Sequence, residues 1–151
     1  MDVRFSLALP REAYTVPVVR RFIGDALRAM GVADDCLDDL LLAGAEACSN
    51  VLEHGGPARR YEVEARIGDS FCVLEILDEG RGFDVERVPV PKADSESGRG
   101  ILLMRALVDE VSFVNRPDRG TVVCLQKRLA WRNGSPVDVS ALLASGSVSP
   151  G

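Results

Sequence analysis

The stretch EACSNVLEH, from Glu46 to His54, decides how this chain is read. Glu46, Asn50 and His54 are spaced by four. On an α-helix a step of four residues turns by only about 40°, so the three polar groups share one stripe. An apolar stripe of Leu37, Leu40, Leu41, Gly44, Cys48 and Leu52 lies opposite. The helix is predicted to start near Asp34 and Asp35, where acidic side chains suit the helix dipole, and to stop at Gly55–Gly56–Pro57. Taken alone, a polar stripe is what any amphipathic helix turns to water. Its meaning changes with two stretches further along the chain: DEGRGF from Asp78 to Phe83, and SGRGILLMR from Ser97 to Arg105.

Working outward, residues 2–9 alternate and end at Pro10, which predicts a strand. Thr15 and Pro17 mark a helix start. Val18, Val19, Phe22, Ile23, Ala26, Leu27 and Met30 follow at helical spacing, and Gly31 ends the run. Beyond the second helix, YEVEARI (Tyr61 to Ile67) alternates strictly, and FCVLEIL (Phe71 to Leu77) is more continuously apolar, as a central strand is. Gly68–Asp69 reads as the hairpin turn between them. Residues 84–97 form a polar loop containing proline. A helix, GILLMRALVD, then leads to the strand EVSFVN, a turn and a last strand, TVVCLQKR. Leu102, Leu103, Ala106 and Leu107 are expected in the core. This order predicts an α/β two-layer sandwich with a mixed, mostly antiparallel sheet and helices on one face. Residues 1–130 are expected to form the domain. Residues 131–151, rich in Ser, Gly and Pro, are expected to be a flexible tail.

Each short stretch suits a particular chemistry. Asp78 ends an apolar strand, where a carboxylate can accept a hydrogen bond from an exocyclic amino group and so separate adenine from guanine. Gly80 and Gly82 let backbone approach a base, and Phe83 is expected to pack beneath the loop. Gly98, Arg99 and Gly100 open a helix whose unpaired N–H groups and partial positive charge favour phosphate. Thr121, after a turn at Gly120, is equally a β-branched strand residue or a contact to the adenine edge.

The three stretches, in this order, with two helices before them and a strand pair after, resemble the ATP site of the GHKL superfamily, which has the Bergerat fold. LLMRALVDEVSF is similar to the segment that follows the third box in bacterial anti-sigma factor serine kinases. The resemblance covers residues 5–128. It implies that Glu46 is the general base and that Asn50 offers an amide oxygen to Mg²⁺, an ion that prefers few protein ligands plus phosphate oxygens. It implies an adenine contact for Asp78, a triphosphate cradle at Gly98 and Gly100 with Arg99 and Ile101 beside it, and a supporting place for His54. Residues 84–97 then stand where the superfamily carries its ATP lid. The implied activity is transfer of phosphate from ATP·Mg²⁺ to a serine on a STAS-type anti-anti-sigma protein, with sequestration of a sigma factor by partner exchange. The implied assembly is a homodimer. Two other readings use the same boxes: a module that binds ATP and sequesters a partner without transfer, and a plain ATPase.

Composition narrows the classes. One domain suits 151 residues, and 46% hydrophobic residues suffice for a core. A net charge of −5 argues against a surface for nucleic acid, which needs clustered Lys and Arg. No apolar run approaches the ~20 residues of a membrane span, and no secretory signal is read at the start. Cys36, Cys48, Cys72 and Cys124 are scattered and are expected to be reduced, which suits a cytoplasmic location. With His54 the only histidine, a zinc site is not expected. There is no GxxxxGK[ST] string, no HRD and no DFG. The only histidine lies inside the first box, leaving none to serve as the phospho-acceptor of a histidine kinase.

Overall fold

The structure, a computed structural model, describes residues 1–54, 59–78, 96–116 and 120–137. The elements run β1 (Asp2–Pro10), α1 (Thr15–Met30), α2 (Asp34–His54), β2 (Arg60–Gly68), β3 (Phe71–Asp78), α3 (Glu96–Leu107), β4 (Glu110–Arg116) and β5 (Gly120–Arg128). The strands form one open sheet in the order β1-β2-β3-β5-β4. Every neighbouring pair is antiparallel, which corrects the expectation of a mixed sheet. The physical reason is that β5 inserts between β3 and β4. The two strands joined through α3 run the same way but never pair.

Alternation along the strands sorts the two faces. Tyr61, Val63, Ala65 and Ile67 of β2 and Cys72, Leu74 and Ile76 of β3 are buried against the helices. Arg66 is exposed on the other face, and Glu62, Glu64 and Glu75 are partly so. From α1 the core takes Val19, Ile23, Leu27 and Met30. Two large apolar residues on α1 stay outside: Val18 and Phe22 are 49% and 43% exposed, and with Tyr14 at 64% they form an i, i+4, i+8 stripe. Phe22 meets Phe5 of β1 edge-on, with ring centroids 5.3 Å apart.

Helix α2 is buried more widely than its single predicted stripe. Ala43, Ala47 and Val51 are fully buried beside Leu37, Leu40 and Cys48. On α3 the phase differs from expectation. Ile101, Met104 and Val108 face the core, whereas Leu102 and Ala106 are exposed and Leu103 and Leu107 are half-buried. Four consecutive apolar residues, ILLM, leave the helical phase undetermined by sequence.

Gly31 closes α1 with φ of 96°, its N–H donating to Arg28 O and the Val32 N–H to Leu27 O. The β2–β3 turn falls at Asp69–Ser70, one residue later than expected. That turn anchors the chain after β5: Leu129 N–H donates to Ser70 O at 2.8 Å and Trp131 Nε1 to Asp69 O at 2.8 Å. Arg132 N–H reaches Gly31 O, and Val137 N–H reaches Met30 O. Residues 131–137 are therefore fixed to the domain, and the expected boundary at 130 falls within bonded structure. Residues 138–151 lie outside the described residues.

Buried polar chemistry ties β2 to the start of α1. The Thr15 hydroxyl donates to Glu12 O at 2.6 Å, so its single proton is used, and the buried Tyr61 phenol donates to Thr15 Oγ1. All four cysteines are free thiols. Burial pushes the Cys48 and Cys72 thiols from 9.0 up to about 12, and the Tyr61 phenol from 10.0 up to about 12. These groups are neutral in the fold and ionise more easily once unfolded. Folded values lie above unfolded ones, so the stability is fully present below pH 9.0 and is lost as pH rises toward about 12. Under reducing conditions the urea midpoint is expected to fall above about pH 9, each thiol contributing up to about 1.4 kcal/mol per pH unit. A shallower fall is expected in Cys48→Ala, and an alkaline limb unchanged by that substitution would exclude this cause.

Candidate functional site

The site is built by laying α2 closely over β3. A Cβ on Gly44 would stand 3.3 Å from Leu74 Cδ1, and Ala43 and Ala47 beside it are small and buried. With α2 seated so low, its polar stripe is not turned to bulk water. Asn50 is only 7% exposed, and Glu46, one turn earlier, is half-buried. A Cβ on Gly100 of α3 would stand 2.9 Å from Glu46 Oε2. The Glu46 carboxylate therefore lies directly against α3.

Asp78 is the last residue of β3 and is fully buried. It pairs with Tyr61 of β2, and residues directly opposite on neighbouring strands share a face. On the other side the β3–β5 register ends with Leu77 opposite Val122, one residue before Asp78, and Thr121 pairs with Asn115 of β4. A buried carboxylate is costly unless partnered. Among the described residues no buried side-chain nitrogen or oxygen lacks a hydrogen bond.

Helix α3 begins at Glu96, two residues before the expected start. Gly98 falls in its first turn, where amide N–H groups have no intrahelical acceptor and the dipole is positive. Gly100 lies beyond that turn, and its visible role is close approach to Glu46. Arg99 is exposed, while Ile101 is 4% exposed and packs into the core. His54 is the last residue of α2, and its side chain is outside the described residues, as is that of Thr121. Gly80, Gly82, Phe83 and the loop from 84 to 95 also lie outside the described residues.

Two cations that sequence reasoning did not single out hold the helix ends. The Arg11 guanidinium donates to Val51 O at 2.9 Å and Leu52 O at 3.0 Å, in the last turn of α2. Lys127 Nζ donates to Leu107 O at 2.7 Å at the end of α3 and lies 3.5 Å from Asp39 of α2. Each cation meets carbonyls at the negative end of a helix dipole, an interaction worth about 0.3–1 kcal/mol, more when partly buried. Neither residue has a sequence signal, because each acts on backbone carbonyls some 20 or 40 positions away. A depression of about 430 Å³ on the opposite sheet face, bordered by Arg4, Ser6, Glu64, Arg66 and Glu75, contains none of the site residues.

The residues present suit ATP with Mg²⁺. They offer a carboxylate at a strand end for an amino group, a helix N-terminus for phosphate, a buried amide for a hard cation and a second carboxylate beside that helix. Among the described residues no group of three or more His, Cys, Asp or Glu forms a separate metal cluster. No helix among them is long and apolar enough to cross a membrane.

A two-layer sandwich with this site belongs to the histidine kinase-like ATPase domain family of the GHKL superfamily, whose family model matches residues 9–127. Within it the chain groups with the serine-protein kinases RsbW. It is 32% identical over 145 residues to the serine-protein kinase RsbW of Bacillus subtilis strain 168, covering 87% of this chain and 88% of that relative. It is 29% identical over 139 residues to the RsbW of Halalkalibacterium halodurans, covering 82% of each. A crystal structure of the RsbU and RsbW domains of a Mycobacterium tuberculosis protein superposes with a TM-score of 0.64 at 20% identity. That superposition covers 84% of this chain and 32% of the larger one, and it bears on the fold.

Replacing Asp78 by Asn exchanges one acceptor oxygen for an NH₂ group, which faces a donor with another donor. Asp78→Asn is expected to weaken ATP binding roughly tenfold or more, about 1.4 kcal/mol, with the circular dichroism spectrum retained. Direct titration with ATP checks this, and an unchanged Kd would remove the adenine contact from Asp78.

Proposed function

We propose that this protein is an anti-sigma factor with serine-protein kinase activity, which phosphorylates a STAS-type anti-anti-sigma partner and sequesters a sigma factor by exchanging partners. The observation that carries the reading is the withdrawal of Glu46 from bulk water. Its carboxylate stands against α3 while Asn50 is buried one turn further along the same stripe. A merely solvated helix face has no reason to arrange its polar groups so.

In this reading Asp78 orients the adenine and the first turn of α3, with Gly98, receives the phosphates. Asn50 would offer its amide oxygen to Mg²⁺, which would supply positive charge to the phosphates. Glu46 accepts the proton of the substrate serine hydroxyl. The serine oxygen bonds to the γ-phosphorus, the bond from that phosphorus to the β,γ-bridging oxygen breaks, and ADP leaves. Contact with α3 holds the carboxylate in place. The kinase reading is supported by the relatives' description as serine-protein kinases.

A cytoplasmic location and a homodimer complete the proposal. The stripe of Tyr14, Val18 and Phe22 supports a dimer, since it adjoins β1, an edge strand whose outer side has no partner strand in the sheet.

The test is transfer from γ-labelled ATP, with Mg²⁺, to STAS-domain proteins of the same organism. Label on a partner serine is expected. It should fall by at least about a hundredfold in Glu46→Ala, with ATP affinity within about threefold of wild type. Label released only as phosphate would mark an ATPase, and tight ATP binding with neither product would mark a sequestering module. Full transfer by Glu46→Ala would remove the base assignment.

A further inference from the structure

We propose that Gly100 positions the Glu46 carboxylate, so that the phosphate-facing start of α3 and the proton-accepting group on α2 are set by one contact; the catalytic part of this rests on Glu46 being the base.

Gly100 lies inside a helix, where glycine is disfavoured relative to alanine. Its backbone supplies no reason for the choice. Among the described residues only Gly31 and Gly134 have positive φ, so Gly100 adopts a conformation open to any residue. The reason is space. A Cβ at this position would stand 2.9 Å from Glu46 Oε2 and 3.9 Å from Glu46 Cδ, and among the described residues beyond its own stretch of helix these are the atoms it would meet within 4 Å. Among those residues, the room that a side chain at 100 would need is filled by the glutamate.

Neither helix can readily retreat to make that room. Ile101 and Met104, on either side of the next turn of α3, are buried in the core. Lys127 holds the far end of α3, and Arg11 holds the last turn of α2. Gly44 leaves α2 already in close contact with Leu74. With both backbones held, a methyl group at position 100 acts on the one part free to move, the end of the Glu46 side chain. The base would swing out of the place it occupies, while the first-turn N–H groups that receive phosphate stay where they are.

The experiment is a double-mutant cycle on the full chain: wild type, Gly100→Ala, Glu46→Ala and the double variant, each followed by thermal unfolding without nucleotide. In the Glu46→Ala background Gly100→Ala is expected to raise Tm by roughly 2–4 °C, the helix-propensity gain of alanine over glycine. In the wild-type background the gain is expected to vanish or reverse, because the methyl group meets the carboxylate. Equal shifts in both backgrounds would overturn the contact.

The same proteins are then compared at saturating ATP, using whichever reaction wild type performs, labelling of a STAS-domain protein or release of labelled phosphate. Gly100→Ala is expected to lower this rate tenfold or more with the Kd for ATP changed less than about threefold. A wild-type rate in Gly100→Ala would overturn positioning and leave only packing. Full activity in Glu46→Ala would instead sink the base reading. The thermal cycle, which uses no activity, would still decide whether Gly100 sets the carboxylate.

Discussion

The close seating of α2 on β3 is the constraint on which the site depends. A helix packs on a neighbour at a distance set by the side chains at the contact. Here the contact brings Gly44 against Leu74, with the small, buried Ala43 and Ala47 beside it on α2. Small residues bring the α2 axis down onto the sheet, and this lowers the flank bearing Glu46 and Asn50 to the level of α3. The same seating buries Cys48 and pushes its thiol from 9.0 up to about 12. Small residues with no chemistry of their own, Gly44, Ala43 and Ala47, thus bear on how far the polar stripe is drawn from water.

Around that contact the molecule is braced from its far ends. Arg11 and Lys127 bind the last carbonyls of α2 and α3, and the Tyr61–Thr15–Glu12 chain of hydrogen bonds ties the β2 position opposite Asp78 to the start of α1. Catalytic groups tolerate little misplacement, so residues that hold helix ends bear on chemistry they never touch. Residues 131–137, bonded to the β2–β3 turn and to the end of α1, complete the bracing on the side away from the site.

Much of this was legible beforehand. Alternation in YEVEARI and the apolar run of FCVLEIL placed two strands to within a residue or two, and Gly31 marked the end of α1. The placement of Glu46 and Asn50 on one helix stripe and of Asp78 at a strand end was legible because it is local: i, i+4 spacing on a helix, and a carboxylate at the end of an apolar run. The phase of α3 was not legible, since ILLM offers every face of the helix to the core. Neither was the tethering of residues 131–137, because a composition of Ser, Gly and Pro does not reveal a Trp131 indole aimed at a distant carbonyl. The mixed sheet was expected because parallel direction between β3 and β4 follows from a crossing helix. Which strand lies between them is a matter of long-range pairing.

By itself the sequence determined the order and kind of the elements, the family and which residues stand as candidates for a nucleotide site. These rest on interactions within a few positions along the chain, which spacing and residue type encode directly. Only the tertiary structure decided that β5 enters between β3 and β4, that Val18 and Phe22 remain outside, and that Gly100 stands over Glu46. Those outcomes come from packing between segments tens of residues apart. There, volume and the reach of a side chain determine the arrangement, and no local pattern records them.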